Sequence, residues 1–140
     1  MYRTILVPLD TSAKNKAVLR RARHLADPST SRIVLFHAVE MLQDVEFEEM
    51  EDFYEDLKAQ AQSALDDWAS SLADEGFSTE TEVTFGERGP SIVEAVDTHD
   101  VDCIVLRSHV VDHDNPEESL GTVSHQVALF APCSVLMVRE

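Results

Sequence analysis

Positive charge is what this sequence has least of. Eleven Lys and Arg stand against 27 Asp and Glu, for a formal net charge of −16 over 140 residues, and lysine occurs only as Lys14, Lys16 and Lys58. Such a balance disfavours contact with phosphodiester backbones and anionic membranes, so neither nucleic acid nor membrane is an expected partner. The acids are spread along the chain. Their mutual repulsion is relieved by salt, which reads as adaptation to a concentrated-salt cytoplasm. No apolar run approaches the ~20 residues of a bilayer span and no signal peptide is expected, so the expected location is cytoplasmic. Glycine is nearly as scarce, with four residues. There is no Gly-x-x-x-x-Gly-Lys, no Gly-x-Gly-x-x-Gly and no nucleophile elbow, so the commonest phosphate-transfer, dinucleotide and hydrolase motifs are missing and no enzyme activity is expected. The two cysteines, Cys103 and Cys133, sit among apolar residues and read as reduced, buried thiols.

What is present is an alternation of strands and helices. Residues 4–9 form a first strand ending at Asp10, with Pro8 near its end because it cannot donate to a ladder. Asp10, Thr11 or Ser12 is expected to cap a helix running to about residue 26, with Ala17, Val18, Arg21, Ala22 and Leu25 on its inner face. Residues 32–39 form a second strand that includes His37, read as a core or strand-tip histidine. Eight acids fall within residues 44–56, and the apolar spacing carries on as one long amphipathic helix to about Gly76. Residues 79–85 alternate as a half-exposed strand. Pro90 suits the first position of a helix reaching His99. Residues 101–106 and 135–138 are short aliphatic runs that suit strands covered on both faces. Five strands alternating with four helices, in one domain over residues 1–140, predict an α/β layered fold around a parallel sheet. In such sheets a ligand is expected in the crevice at the strands' carboxyl ends, here the loop after Leu106 and the helix start beyond it.

The run LGTVSHQVALFAPCSVLMVR (residues 120–139) resembles the carboxyl end of the universal stress protein family, with its Gly-Ser/Thr-Val-Ser helix start, Ala-Pro-Cys turn and last apolar strand. ILVPLDTSAKNKAVLRRARHLA (residues 5–26) is similar to the family's first strand, acidic tip and first helix. The resemblance covers nearly the whole chain. It implies a three-layer α/β/α, Rossmann-like fold of the adenine nucleotide alpha hydrolase type, with strand order 3-2-1-4-5. Residues 79–85 would then be an edge strand, where Glu80 and Glu82 discourage further pairing. The other edge is the last strand, and the family's way of covering it implies a homodimer through Val135, Leu136, Met137 and Val138.

Nucleotide-binding members carry Gly-x-x-Gly, nine residues, then Gly-Ser/Thr after the fourth strand. The glycines let backbone N–H groups approach phosphates without Cβ atoms in the way. Here Arg107-Ser108-His109-Val110 stands in their place, ten residues precede Gly121, and Asp112, Asp114, Glu117 and Glu118 would repel a triphosphate. What remains is Gly121-Thr122-Val123-Ser124 for phosphates, Pro8-Leu9-Asp10 with Asp10 for a ribose, and Ala38-Val39 for an adenine. Each has a plainer reading as a helix cap or core position. Arg107 and His109 offer positive charge in exchange for the lost cradle. His109, Asp112, His113 and Asp114 are also a dense set of candidate metal ligands, equally suited to a solvated acidic loop, and no metal is assigned. Two readings therefore lead, with slow nucleotide hydrolysis a third behind both. One is a non-enzymatic dimeric stress regulator or protectant with a degenerate crevice. The other is a binder of ATP or AMP through Arg107 and the Gly121-Thr122 helix start.

Overall fold

The computed structural model describes residues 2–10, 14–42 and 44–139. Five strands, β1 (Thr4–Pro8), β2 (Arg32–Val39), β3 (Ser78–Phe85), β4 (Cys103–Arg107) and β5 (Ser134–Val138), form one sheet in the order β3-β2-β1-β4-β5. Every pairing is parallel. The helices are α1 (Asn15–Leu25), α2 (Glu51–Asp74), α3 (Arg88–His99) and α4 (Val123–Phe130). The expected fold class and strand order are those observed.

Strand parity divides the core into two halves. Ile5, Val7, Ile33, Leu35, Cys103 and Val105 face α1 and α2, against Val18, Leu19, Leu65 and Leu72. Leu6, Val34, Phe36, Ile104 and Leu106 face α3 and α4, against Ile92, Val96 and Val127. Each fully buried Leu or Ile contributes about 1.5–3 kcal/mol relative to exposure, which is why the central strands are aliphatic throughout. Asp102 ties β1 to β4. Its carboxylate accepts the N–H groups of Arg3 (2.9 Å) and Thr4 (3.0 Å), while its own N–H donates to the Thr4 carbonyl (3.1 Å).

Several boundaries differ from expectation. α1 begins at Asn15 after Lys14, with no side-chain cap. Asp10 serves it through its backbone instead, accepting from Asn15 Nδ2 at 2.7 Å. Thr11 and Ser12 lie outside the described residues. The acidic run and α2 do not form one continuous helix, because a separate 3-10 turn over Phe47–Glu49 precedes α2. The cause is tertiary: Phe47 stacks on buried Tyr54 (5.8 Å) and meets Phe85 edge-on (5.5 Å). The Tyr54 hydroxyl accepts the Leu42 N–H at 2.6 Å and so anchors the preceding loop. Pro90 is the third residue of α3 rather than its first, still within the turn that needs no N–H. Gly89 packs against α4, where a Cβ would collide with the Gln126 side chain. Glu80 and Glu82 do not stand free along the sheet edge. Glu80 pairs with Arg32 at 2.9 Å, and Glu82 meets His99 Nε2 at 2.7 Å.

Candidate functional site

The carboxyl ends of β1, β2 and β4, with the starts of α3 and α4, enclose an open crevice of about 470 Å3. Strand order creates it: the chain leaves β1 towards β2 on one side and returns to β4 on the other, so the loops part between them. Of the residues expected from sequence, Pro8, Leu9, Asp10, Arg107, Thr122, Val123 and Ser124 line it. Val39 does not. It is 5% exposed and packs in the half-core under α1 and α2, while Ala38 reaches the crevice. Gly121 ends a 3-10 turn over Pro116–Gly121 and lies outside the lining.

Arg88 and His37, which the sequence reading did not assign to the site, also reach the crevice. Arg88 opens α3, and the β3-β2-β1 order carries that helix start alongside the crevice. Its N–H donates to Glu40 Oε1 (3.3 Å), with the guanidinium 3.9 Å from the same oxygen. His37 Nδ1 lies 2.7 Å from the Leu9 carbonyl. A carbonyl only accepts, so Nδ1 carries the proton and Nε2 is the free ring nitrogen. The one sequence signal for both was chemical: a basic side chain at a strand or helix end facing the predicted crevice.

Arg107 ends β4 and is half-buried. Among the described residues it has no hydrogen-bond or ion-pair partner. The loop after it is fixed from below. The Ser108 N–H donates to the Val138 carbonyl (2.7 Å), and the His109 N–H donates to Ser124 Oγ (3.3 Å). At the start of α4 the Thr122 hydroxyl donates to the Ser119 carbonyl (2.8 Å) and accepts the His125 N–H (3.4 Å). Both hydroxyls are thus engaged within the loop and cap. The N–H groups of Val123 and Ser124, which have no acceptor inside the helix, remain at the positive end of its dipole.

The four loop acids expected to repel a triphosphate do not line the crevice. Asp112 instead closes a turn, accepting from Asn115 Nδ2 (3.2 Å) and the Asp114 N–H (3.0 Å). The Asn115 side-chain bond, then the Asp114 N–H, holds its carboxyl below the usual carboxylate range. Among the described residues no three His, Cys, Asp or Glu side chains come together as a metal site. In a chain of net charge −16, the crevice is lined by Arg88, Arg107, His37 and His109 against one carboxylate, Asp10. Its apolar surface comes from Phe36, Ile92 and Leu106 among others.

A family model described as the universal stress protein family matches residues 1–139. No curated protein matches the sequence. Among solved structures, the chain resembles the universal stress protein UspA from Lactobacillus plantarum at 23% identity and a TM-score of 0.77, with 99% of this chain and 98% of that one covered. It resembles the hypothetical protein MJ0577 at 25% identity and a TM-score of 0.83, covering 100% and 97%. The universal stress protein from Archaeoglobus fulgidus in complex with dAMP matches at 22% identity and a TM-score of 0.70, covering 99% and 98%.

Proposed function

The chain belongs to the universal stress protein family, and from that premise we propose a cytoplasmic, dimeric, non-enzymatic stress regulator whose crevice takes an adenine nucleoside monophosphate. The observation that carries this reading is Arg107, half-buried at the crevice and without a hydrogen-bond or ion-pair partner among the described residues, in a crevice also lined by Arg88, His37 and His109. A guanidinium without a carboxylate partner is complementary to a phosphate, which it binds in a bidentate fork. The volume of about 470 Å3 falls within the roughly 300–1,000 Å3 of small-ligand sites. The relative from Archaeoglobus fulgidus was crystallised with dAMP, which supports the adenine.

The restriction to one phosphate comes from the loop. Where a triphosphate needs a run of inward N–H groups, Ser108 and His109 spend theirs on Val138 and Ser124. Calorimetric titration with AMP, ADP and ATP tests the reading. Saturable AMP binding is expected, with ATP no tighter than AMP. Absence of any adenine nucleotide binding refutes it, as does ATP binding tenfold tighter than AMP.

The dimer rests on β5. Its outer edge is unpaired within the sheet, Leu136 on it is 38% exposed, and Val135 and Met137 are half-buried. An apolar edge of this kind is an aggregation hazard unless another chain pairs with it. Light scattering is expected to give a dimer for the native chain, with Met137→Lys shifting it to monomer or aggregate. A monodisperse native monomer at micromolar concentration overturns this part of the reading.

A further inference from the structure

The two arginines that line the crevice are held differently. Arg107 has no hydrogen-bond or ion-pair partner among the described residues, whereas Arg88 stands beside a carboxylate. The Gly86 N–H donates to the Val39 carbonyl (3.0 Å), and the Arg88 N–H donates to Glu40 Oε1 (3.3 Å). These bonds fix the start of α3 beside the tip of β2. The same Glu40 oxygen lies 3.9 Å from Arg88 Nε, which is an ion pair but too long for a hydrogen bond. Ile92, four residues further along α3 and so on the same face, is buried and also lines the crevice. Arg88 and Ile92 therefore make one wall, planar and cationic above, apolar below. β1 lies between β2 and β4, so Arg88 and Arg107 stand on opposite sides of its tip. At the usual strand spacing those two outer tips are about 10 Å apart, comparable to the distance from phosphate to the far edge of the base in a nucleoside monophosphate.

We propose that Arg88 is the base-contacting residue of the crevice, its guanidinium plane stacking on the purine while Arg107 takes the phosphate. The inference rests on the nucleotide reading above and adds the ligand's orientation and a second binding residue. Charge decides which end is which. At Arg88 the positive charge is partly offset by Glu40, so a phosphate dianion gains little there. At Arg107 no carboxylate intervenes. The Val123 and Ser124 N–H groups at the start of α4 add their positive dipole end on that side. A neutral purine suits the opposite end. Guanidinium planes stack on aromatic rings, and Ile92 continues the wall as apolar surface beneath the same ring. Glu40 acts through Arg88 as a positioning residue, because it fixes both the backbone and the Nε side of the arginine.

The test is calorimetric titration of the full chain with AMP in 0.1 M KCl, with adenosine and ribose 5-phosphate read by displacement of AMP. Arg88→Ala should weaken AMP and adenosine alike, by about fivefold to tenfold, since both carry the base. Ribose 5-phosphate, which has the phosphate and no base, should be unaffected. The losses from Arg88→Ala and Arg107→Ala should multiply for AMP, because the two side chains meet opposite ends of the ligand. Thermal melting checks that each variant is folded. Arg88→Met, which keeps the bulk and loses the plane and charge, carries the same expectations if Arg88→Ala is not. A loss for AMP without one for adenosine makes Arg88 a phosphate ligand and overturns the inference, leaving the nucleotide reading intact. So does an unchanged AMP affinity, or an equal loss for ribose 5-phosphate, which marks a deformed crevice. Adenosine that fails to displace AMP at millimolar concentration leaves the base without a subsite and overturns it as well. A native chain that binds no AMP overturns both the inference and the reading beneath it.

Discussion

Replacing Arg107 with Ala separates a phosphate-binding arginine from one that merely fills space. The side chain has no hydrogen-bond or ion-pair partner among the described residues, so its removal orphans nothing in the folded protein. Stability should therefore change by no more than about 0.5 kcal/mol, as for an ordinary surface substitution. Affinity is different. A hydrogen bond to a charged group contributes about 1.5–3 kcal/mol, and each 1.4 kcal/mol is tenfold in Kd. Arg107 is only half-buried, and salt and solvent screen a site of that kind, which places the expectation at the lower end. The Kd for AMP should rise by about tenfold in 0.1 M KCl. Arg107→Lys keeps the charge but loses the planar fork, and should recover part of the loss. Adenosine provides the internal control, because a group that binds the phosphate has no effect on a ligand lacking one. AMP affinity within twofold of the native value, in a folded variant, refutes the reasoning. So does an equal loss for adenosine, which would mean that Arg107 packs on the base.

Other consequences lie further from the crevice. Asp102→Ala leaves the N–H of Thr4, a residue only 7% exposed, without its acceptor; the expected cost is about 1–3 kcal/mol, read as a Tm lowered by roughly 3–10 °C. Burial pushes the Cys103 thiol up to about 11, so at pH 8 about 0.1% is thiolate and Ellman's reagent should label it far more slowly in the native protein than in urea. The same shift has a sign for stability: the unfolded thiol ionises first as pH rises from about 9 towards about 11, and folding stability should fall across that window. With 27 acids against 11 bases, thermal midpoints should climb from low to multimolar KCl, and a flat or falling series would contradict the halophilic reading.

The central strands β1, β2 and β4 were legible because they are buried on both faces, whereas β5, expected to be covered likewise, alternates between exposed and half-buried residues. Ile5, Leu6 and Val7 alternate between the two half-cores, so the run must be apolar at every position, and no solvent-facing residue interrupts it. The resemblance supplied the strand order, and with it which tips meet, which is why Pro8, Leu9, Asp10 and Arg107 were found. Val39 does not reach the crevice: it packs in the half-core under α1 and α2, whereas His37 and Ala38 just before it line the crevice. The start of α1 was not legible, because Asp10, Thr11 and Ser12 are all good caps by type, whereas the N-cap position is Lys14, whose side chain makes no cap bond. The break before α2 is set by Phe47 finding Tyr54 and Phe85, a contact spanning 38 residues that no local window contains. Arg88 was missed for the same reason: its turn is unremarkable until the sheet brings it beside β1 and β2.

A crevice lined by side-chain cations behaves differently from one lined by backbone amides. A glycine cradle holds its dipoles rigidly and close to the ligand, so its grip depends little on ionic strength. Here Val110 stands 78% exposed in the loop, and the positive charge comes from the side chains of Arg107 and Arg88. Attraction between such groups and a phosphate is screened as salt rises, while the repulsion among the 27 acids is screened too. The two effects have opposite signs for function and fold. Affinity for AMP should therefore fall across the same KCl series in which the melting midpoint climbs, and both can be read from one set of buffers. Arg107→Gly with Val110→Gly would restore the backbone cradle and flatten the first dependence while leaving the second unchanged. If the native protein's AMP affinity is already independent of KCl, the ligand is held by the Val123 and Ser124 amides alone, and the arginines are not its partners.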